Sequence, residues 1–238
     1  AEDMVVEKVP QWESELWSYI SSGDGEHCPL YPDCRFRLRD SQCLGDDKKY
    51  FQRVSKLLDN DESILSGCEP SKPDFIRCTR ASRIFQLVEK LAHKYIEMGG
   101  FLSPPVPAEL VALCDRNHPI EVREVLLTAY HGAIWRLRDK WIVHLNENDT
   151  LARKKFSLFH EGFHILAHCK ASPVFRKMGV RQGSFNELLA DHFAGCILMP
   201  PEWAREKWSE SHDIDKMAEI FQIPKLVVWF GLKGIGLI

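Results

Sequence analysis

The sequence has little that would tie the protein to a membrane or to a nucleic acid. No apolar run in its 238 residues approaches the length of a membrane span, and its N-terminal stretch lacks the pattern of a secretory signal. The formal net charge is −3, so no excess of positive charge favours nucleic-acid binding. Internal repeats and low-complexity tracts are also absent. We therefore expect a cytoplasmic protein without a membrane association or direct nucleic-acid binding.

The closely spaced Cys-x-x-Cys pairs of many zinc modules are missing too, although the chain has eight cysteines. Five of them fall in the first 80 residues, around a Pro-rich stretch with too few apolar residues to order itself by burial. A metal cross-link can supply such stability. We predict that Cys28, Cys34 and Cys43 bind a structural zinc ion or an iron–sulphur cluster, with Cys78 or Cys68 as the fourth ligand. The alternative is free thiols in a helical cap, and a disulfide is the least favoured arrangement in a cytosolic chain.

The length allows one large domain or two modest ones, with the 45% hydrophobic and 27% charged residues of an ordinary globular protein. We predict a cysteine-rich, mostly helical or irregular module over residues 1–80 and a second domain over residues 81–238. Apolar residues at helical spacing predict helices over residues 12–20, 82–98 and 108–114.

Between residues 120 and 145 the apolar period changes from that of a helix to two. Residues 120–127 alternate as a strand, and two further strands, at 133–137 and 140–145, flank Arg138-Asp139 as a hairpin. This pattern predicts a small three-stranded antiparallel sheet packed on helices, in an α+β fold. A sheet edge at residues 140–145, or at their hairpin partner, could bind an extended substrate by strand addition.

Residues 156–169 contain the motif His-Glu-x-x-His, with His160, Glu161 and His164. Residues four apart lie on one face of a helix, so the two imidazoles can bind one metal ion. Glu161 is rotated by about 100° from His160, so its carboxylate can act on a water molecule without binding the ion. Large apolar residues surround the motif, and buried His and Glu side chains need partners.

A catalytic zinc site usually has three protein ligands and one open position. We predict Glu187, which lies 23 residues beyond His164, as the third ligand. Asp191, one helical turn later, is placed to accept a hydrogen bond from a ligand imidazole and to fix its tautomer. The alternative interpretation is a polar helix stripe that binds no metal.

These motifs resemble the ImmA/IrrE-type metallo-endopeptidases. The resemblance is carried by Phe-Ser-Leu-Phe-His-Glu-x-x-His-Ile-Leu-Ala-His at 156–168, Glu-x-x-Ala-Asp at 187–191, Leu-Met-Pro at 198–200 and the segment 221–238. It covers roughly residues 84–238 and leaves the first eighty unexplained. The family usually has glycine just before the second histidine, whereas here Gly162 follows Glu161 and Phe163 takes that place.

The resemblance implies a zincin-like fold and a zinc-dependent endopeptidase that cuts a helix-turn-helix repressor in a stress response, and so regulates transcription. In that mechanism Glu161 is the base, and a further group must stabilise the oxyanion. His168 and Tyr130 are the candidates for this group, with His131 as an alternative to Tyr130. A competing hypothesis is a non-catalytic, metal-binding sensor or regulatory protein that keeps the protease fold.

Overall fold

The computed structural model describes residues 9–22, 79–128, 130–171 and 184–238. The predicted ligands Cys28, Cys34, Cys43 and Cys78, and the alternative Cys68, lie outside these residues, so the predicted cysteine site stays a prediction.

Helices dominate the described residues, with one small sheet in the middle of the chain. The elements are α1 (Gln11–Ser22), α2 (Thr79–Gly99), a 3-10 helix (Ala108–Cys114), β1 (Ile120–Val125), β2 (Gly132–Arg136), β3 (Trp141–Asn146), α3 (Leu151–Lys170), α4 (Ser184–Leu198), α5 (Pro201–Ser211), α6 (Ile214–Phe221) and α7 (Lys225–Gly234). This architecture confirms the α+β prediction. None of these helices is long and apolar enough to cross a membrane.

The sheet is mixed, so the prediction of a purely antiparallel sheet was wrong. Its strand order is β1-β3-β2, with β1 parallel and β2 antiparallel to β3. The chain leaving β1 therefore passes the end of β3 before β2 begins. Asn146 holds this connection, since its Nδ2 donates to the carbonyl oxygen of Leu127 at 2.9 Å. Alternating apolar residues define the faces of a strand but not its partner, which explains the error.

The strand order also settles which strands form the sheet edges. Residues 141–145 belong to the central strand β3, so the first of the two predicted edges was wrong. The alternative, the hairpin partner β2, is one of the two edges. Four of the six β3 residues are buried, as expected for a central strand covered by helices.

Among the described residues, helix α3 packs against α1, the 3-10 helix, β2, β3 and α4. Thr150 caps its N-terminus, because its Oγ1 accepts a hydrogen bond from the backbone N–H of Arg153 at 3.2 Å. Phe159 and Phe163 are fully buried on the helix. Burial of each such side chain contributes about 1.5–3 kcal/mol to folding. The apolar residues around the His-Glu-x-x-His motif therefore fix α3 rigidly in the core.

Helix α1 falls within the predicted N-terminal module, yet it packs against the helices of the second predicted domain. Leu16, Trp17 and Ile20 are buried in the same apolar cluster as α3. The rings of Trp17 and Phe163 lie 6.2 Å apart. The domain boundary at residue 80 remains a prediction. Helix α1 lies before that boundary, yet its buried residues belong to the same hydrophobic core as the residues after it.

Candidate metal centre

Three side chains from two helices meet at one point. His160 and His164 stack on one face of α3, and their Nε2 atoms lie 3.1 Å apart. Glu187, in the first turn of α4, places its carboxylate oxygens 3.2 Å from Nε2 of His160 and 3.4 Å from Nε2 of His164. Among the described residues these three therefore form a group whose ligand atoms could hold one ion.

The protonation of His160 determines what this group can bind. The Nδ1 atom of His160 lies 2.7 Å from a carboxylate oxygen of Asp191, so Nδ1 carries the proton and donates it. In the neutral ring, Nε2 then presents a lone pair to the oxygen of Glu187, which is also an acceptor. Two acceptors at that distance repel each other unless a cation lies between them. The site therefore requires either a proton or a metal ion.

The pKa values of the group follow from this arrangement. Burial lowers the pKa of His160, but Asp191 and Glu187 outweigh burial and raise it well above its usual value. Burial lowers the pKa of His164 to about 4, so this ring stays neutral and keeps a lone pair. Burial raises the pKa of Glu187, but the two imidazoles outweigh burial and hold it below its usual value. Two neutral or neutralisable imidazoles and one carboxylate are the donor set of many catalytic zinc sites.

The distances also fit one metal ion. Ligand atoms about 2.0–2.2 Å from a tetrahedral zinc ion lie about 3.3–3.6 Å from each other. The three separations observed, 3.1, 3.2 and 3.4 Å, are close to that range. The site opens to solvent on the side of Glu187, whose side chain is 43% exposed. It is closed on the side of His164, whose side chain is only 2% exposed. The residues present therefore fit a zinc ion with one position accessible to substrate.

Glu161 is buried beside this group, next to the start of β2. Burial is the main cause that raises its pKa to about 7, and the nearby Glu187 and Asp191 add to the increase. A methyl group added at Gly132 would lie 2.8 Å from Oε1 of Glu161. The lack of a side chain at Gly132 thus leaves the space in which this carboxylate lies.

The two predicted oxyanion residues, His168 and Tyr130, have different surroundings. The ring of His168 packs edge to face on Trp141, with centroids 5.0 Å apart. Tyr130 lies in the connection between β1 and β2 and is 65% exposed. Neither belongs to the group of three ligand residues.

His131 stands out more clearly in three dimensions than in the sequence. Its Nδ1 lies 2.8 Å from a carboxylate oxygen of Asp149, which orients the ring. It directly precedes Gly132, the residue in contact with Glu161. The sequence offers His131 only as an alternative to Tyr130, because nothing in the chain order indicates its pairing with a residue eighteen positions away.

Comparison with known protein families agrees with this site. The profile of the IrrE N-terminal-like domain, a peptidase family, matches residues 115–233, which is half of the chain. The chain belongs to this family. A search of curated proteins finds no match. Membership indicates a metallopeptidase-type function for the IrrE-like domain, and the matched segment contains Glu161 and the three predicted catalytic ligands, His160, His164 and Glu187.

The structure also accounts for the unusual position of the glycine in this IrrE-like domain. A methyl group at Gly162 would approach Val111 and Cys114 of the 3-10 helix to 3.1 and 3.2 Å. Phe163, in contrast, is fully buried in the apolar core. Glycine and phenylalanine thus suit the two sides of α3 on which they lie, and His160 and His164 keep their common face.

Proposed function

We propose that the protein is a zinc-dependent endopeptidase. The observation that carries this proposal is the convergence of His160, His164 and Glu187, whose ligand atoms lie close enough together to share one metal ion in place of the proton on His160. His160, His164 and Glu187 would hold the zinc. When bound there, zinc would supply a Lewis acid that polarises the scissile carbonyl group.

In this proposal Glu161 acts as the general base. Its buried carboxylate would take a proton from the attacking water and pass it to the leaving amine. A pKa near 7 before any cation is bound places the group close to the range in which a base can both accept and return a proton. Gly132 leaves the room that the carboxylate needs.

The oxyanion of the tetrahedral intermediate needs a hydrogen-bond donor or positive charge. Of the three candidates, His131 is favoured, because Asp149 orients its ring and it adjoins the residue in contact with Glu161. Tyr130 would have to turn inward from an exposed position, and His168 would have to leave its contact with Trp141.

The substrate would be a protein segment in an extended conformation. β2 is an edge strand, and its first residue adjoins Glu161, so a peptide added to that edge would pass the base. Trp135 of β2 is 54% exposed and offers an apolar contact there. From the resemblance to the ImmA/IrrE-type enzymes we propose a helix-turn-helix repressor as the natural substrate, in a cytoplasmic stress response that regulates transcription.

Cleavage of an unstructured peptide library, read by mass spectrometry together with metal analysis, tests the proposal. Glu161→Gln should keep one equivalent of zinc at this site but lose cleavage by about 100–10,000-fold, since an amide cannot accept the proton. His164→Ala should lose both the zinc and the cleavage.

Near wild-type cleavage by Glu161→Gln would contradict the assigned base. Wild-type protein that binds zinc but cleaves neither the library nor a repressor would instead favour the non-catalytic sensor hypothesis.

A further inference from the structure

We propose that Glu89, His192 and Cys196 form a second metal site, for Zn²⁺, that joins α2 to α4. Its residues are separate from the predicted catalytic ligands. His192 and Cys196 lie one turn apart on α4, and Glu89 faces them from α2. The three ligand atoms all lie within 4.8 Å of one another.

The distances match those around one ion. Nε2 of His192 lies 3.6 Å from Sγ of Cys196 and 3.3 Å from a carboxylate oxygen of Glu89. Around a tetrahedral zinc ion, a ligand nitrogen and a ligand sulphur are separated by about 3.6 Å, and a nitrogen and an oxygen by about 3.3–3.6 Å. Both separations therefore fit ligands that share a metal ion.

The same geometry argues against a catalytic cysteine. A Cys-His-carboxylate relay uses both ring nitrogens, one toward the thiol and the other toward the orienting carboxylate. Here Cys196 and Glu89 both contact Nε2 of His192. One ring nitrogen carries at most one proton, so it cannot donate fully to both groups. A metal ion can accept a lone pair from each of the three.

The ligand set favours zinc over other metals. A thiolate selects zinc or copper(I), an imidazole suits zinc, copper, iron or nickel, and a carboxylate disfavours copper(I). Zinc is the metal that the thiolate, the imidazole and the carboxylate can all bind. Burial lowers the pKa of His192, but the side chains of Cys196 and Glu89 outweigh burial and raise it to about 10, so the ion would replace a proton on Nε2.

The proposed second metal site is accessible from solvent, and an ion bound there would connect two helices. Glu89 and Cys196 line a surface groove with His93, so an ion can enter and water can fill a fourth position. The ring of Phe85 packs edge to face on His192, with centroids 4.8 Å apart, which fixes the ring. His192 directly follows Asp191, the residue that contacts His160. A metal ion here would therefore anchor to α2 the helix that carries Glu187 and Asp191.

Cobalt(II) is a suitable probe because a cysteine thiolate bound to it gives a charge-transfer absorption in the near ultraviolet. The reduced full chain, freed of metal by dialysis against a chelator, is titrated with Co²⁺. We expect Cys196→Ser and His192→Ala to lose part of this absorption relative to the wild type. Cys169→Ser is the matched control and should keep all of it, because Cys169 is an exposed cysteine on α3 outside the cluster.

A second variant keeps the test decisive if Cys196→Ser does not fold. Glu89→Gln alters a partly exposed side chain of unchanged size, and it should weaken binding of this Co²⁺ equivalent by more than about tenfold. The proposal is overturned if folded Cys196→Ser absorbs like the wild type at saturating Co²⁺, or if Glu89→Gln leaves the affinity unchanged. Neither result would bear on the catalytic zinc, whose predicted ligands include no cysteine.

Discussion

The carboxylate of Asp191 and the imidazole of His160 are joined by a hydrogen bond of 2.7 Å between Oδ1 and Nδ1. This contact sets the tautomer of His160, so that its Nε2 lone pair faces His164 and Glu187. Asp191 lies one helical turn after Glu187, so a single helix provides both a ligand and the residue that orients another ligand. The position of helix α4 therefore determines the positions of both Glu187 and Asp191 at the metal centre.

Replacing Asp191 should weaken zinc binding without removing the site. We expect Asp191→Ala to lower zinc affinity by about 10–100-fold, the usual effect of removing the partner of a ligand histidine. Competition with a chromophoric chelator measures this affinity. Asp213→Ala, at the N-cap of α6, is a control for loss of an aspartate elsewhere. An unchanged affinity in Asp191→Ala would show that the hydrogen bond does not orient His160 for metal binding.

A methyl group at Gly132 should disturb the base more than the fold. In Gly132→Ala the new methyl group would meet Oε1 of Glu161 at 2.8 Å, and this carboxylate is the movable end of a side chain. We expect cleavage to fall by about 10–100-fold with zinc content and melting temperature nearly unchanged, because a shift of the base by about 1 Å misplaces it. Gly234→Ala is the matched control, since nothing lies within 4 Å of its added methyl group. Equal cleavage by both variants would argue against Glu161 as the base.

Asp115 should contribute stability that depends on pH. It is buried, which raises its pKa, but hydrogen bonds from Trp141, His118 and the backbone of Asn117 outweigh burial and lower the pKa to about 2. Because the pKa is depressed in the folded state, the stabilisation is present above about pH 4 and is lost as the pH falls toward 2. Asp115→Asn should therefore lower the free energy of unfolding by about 2 kcal/mol at pH 7 and by much less near pH 2.

Urea unfolding of wild type and Asp115→Asn at several pH values measures this difference. Asp139→Asn, in the exposed turn before β3, should show little effect at any pH. A destabilisation of Asp115→Asn that stays constant between pH 7 and pH 2 would mean that its charge does not provide the stability.

The cysteines near the N-terminus provide a further prediction. If Cys28, Cys34 and Cys43 bind a metal, reduced protein should react slowly with iodoacetamide until a strong chelator exposes these thiols together. Cys114 serves as an internal reference, since burial raises the pKa of its thiol and makes it a poor nucleophile. Fast, independent labelling of the three cysteines without release of metal would contradict the prediction.

The sequence was informative wherever chemistry depends on spacing along one helix. His160 and His164 four residues apart had to share a face, and Glu161 had to point elsewhere, because the α-helix fixes these directions locally. Helices α1 and α2 followed from their apolar periodicity for the same reason. The hairpin of β2 and β3 was also predicted, because a short turn joins two adjacent strands.

Relationships between distant segments were decided by the tertiary structure alone. The pairing of β1 with β3, the contact of His131 with Asp149, and the meeting of Glu89 with His192 and Cys196 each join separate parts of the chain. His-x-x-x-Cys on α4 was visible in the sequence, but its carboxylate partner lies about a hundred residues earlier. Local backbone geometry sets which residues share a face of a helix or strand, whereas only the packing of whole elements around a common core sets which faces meet.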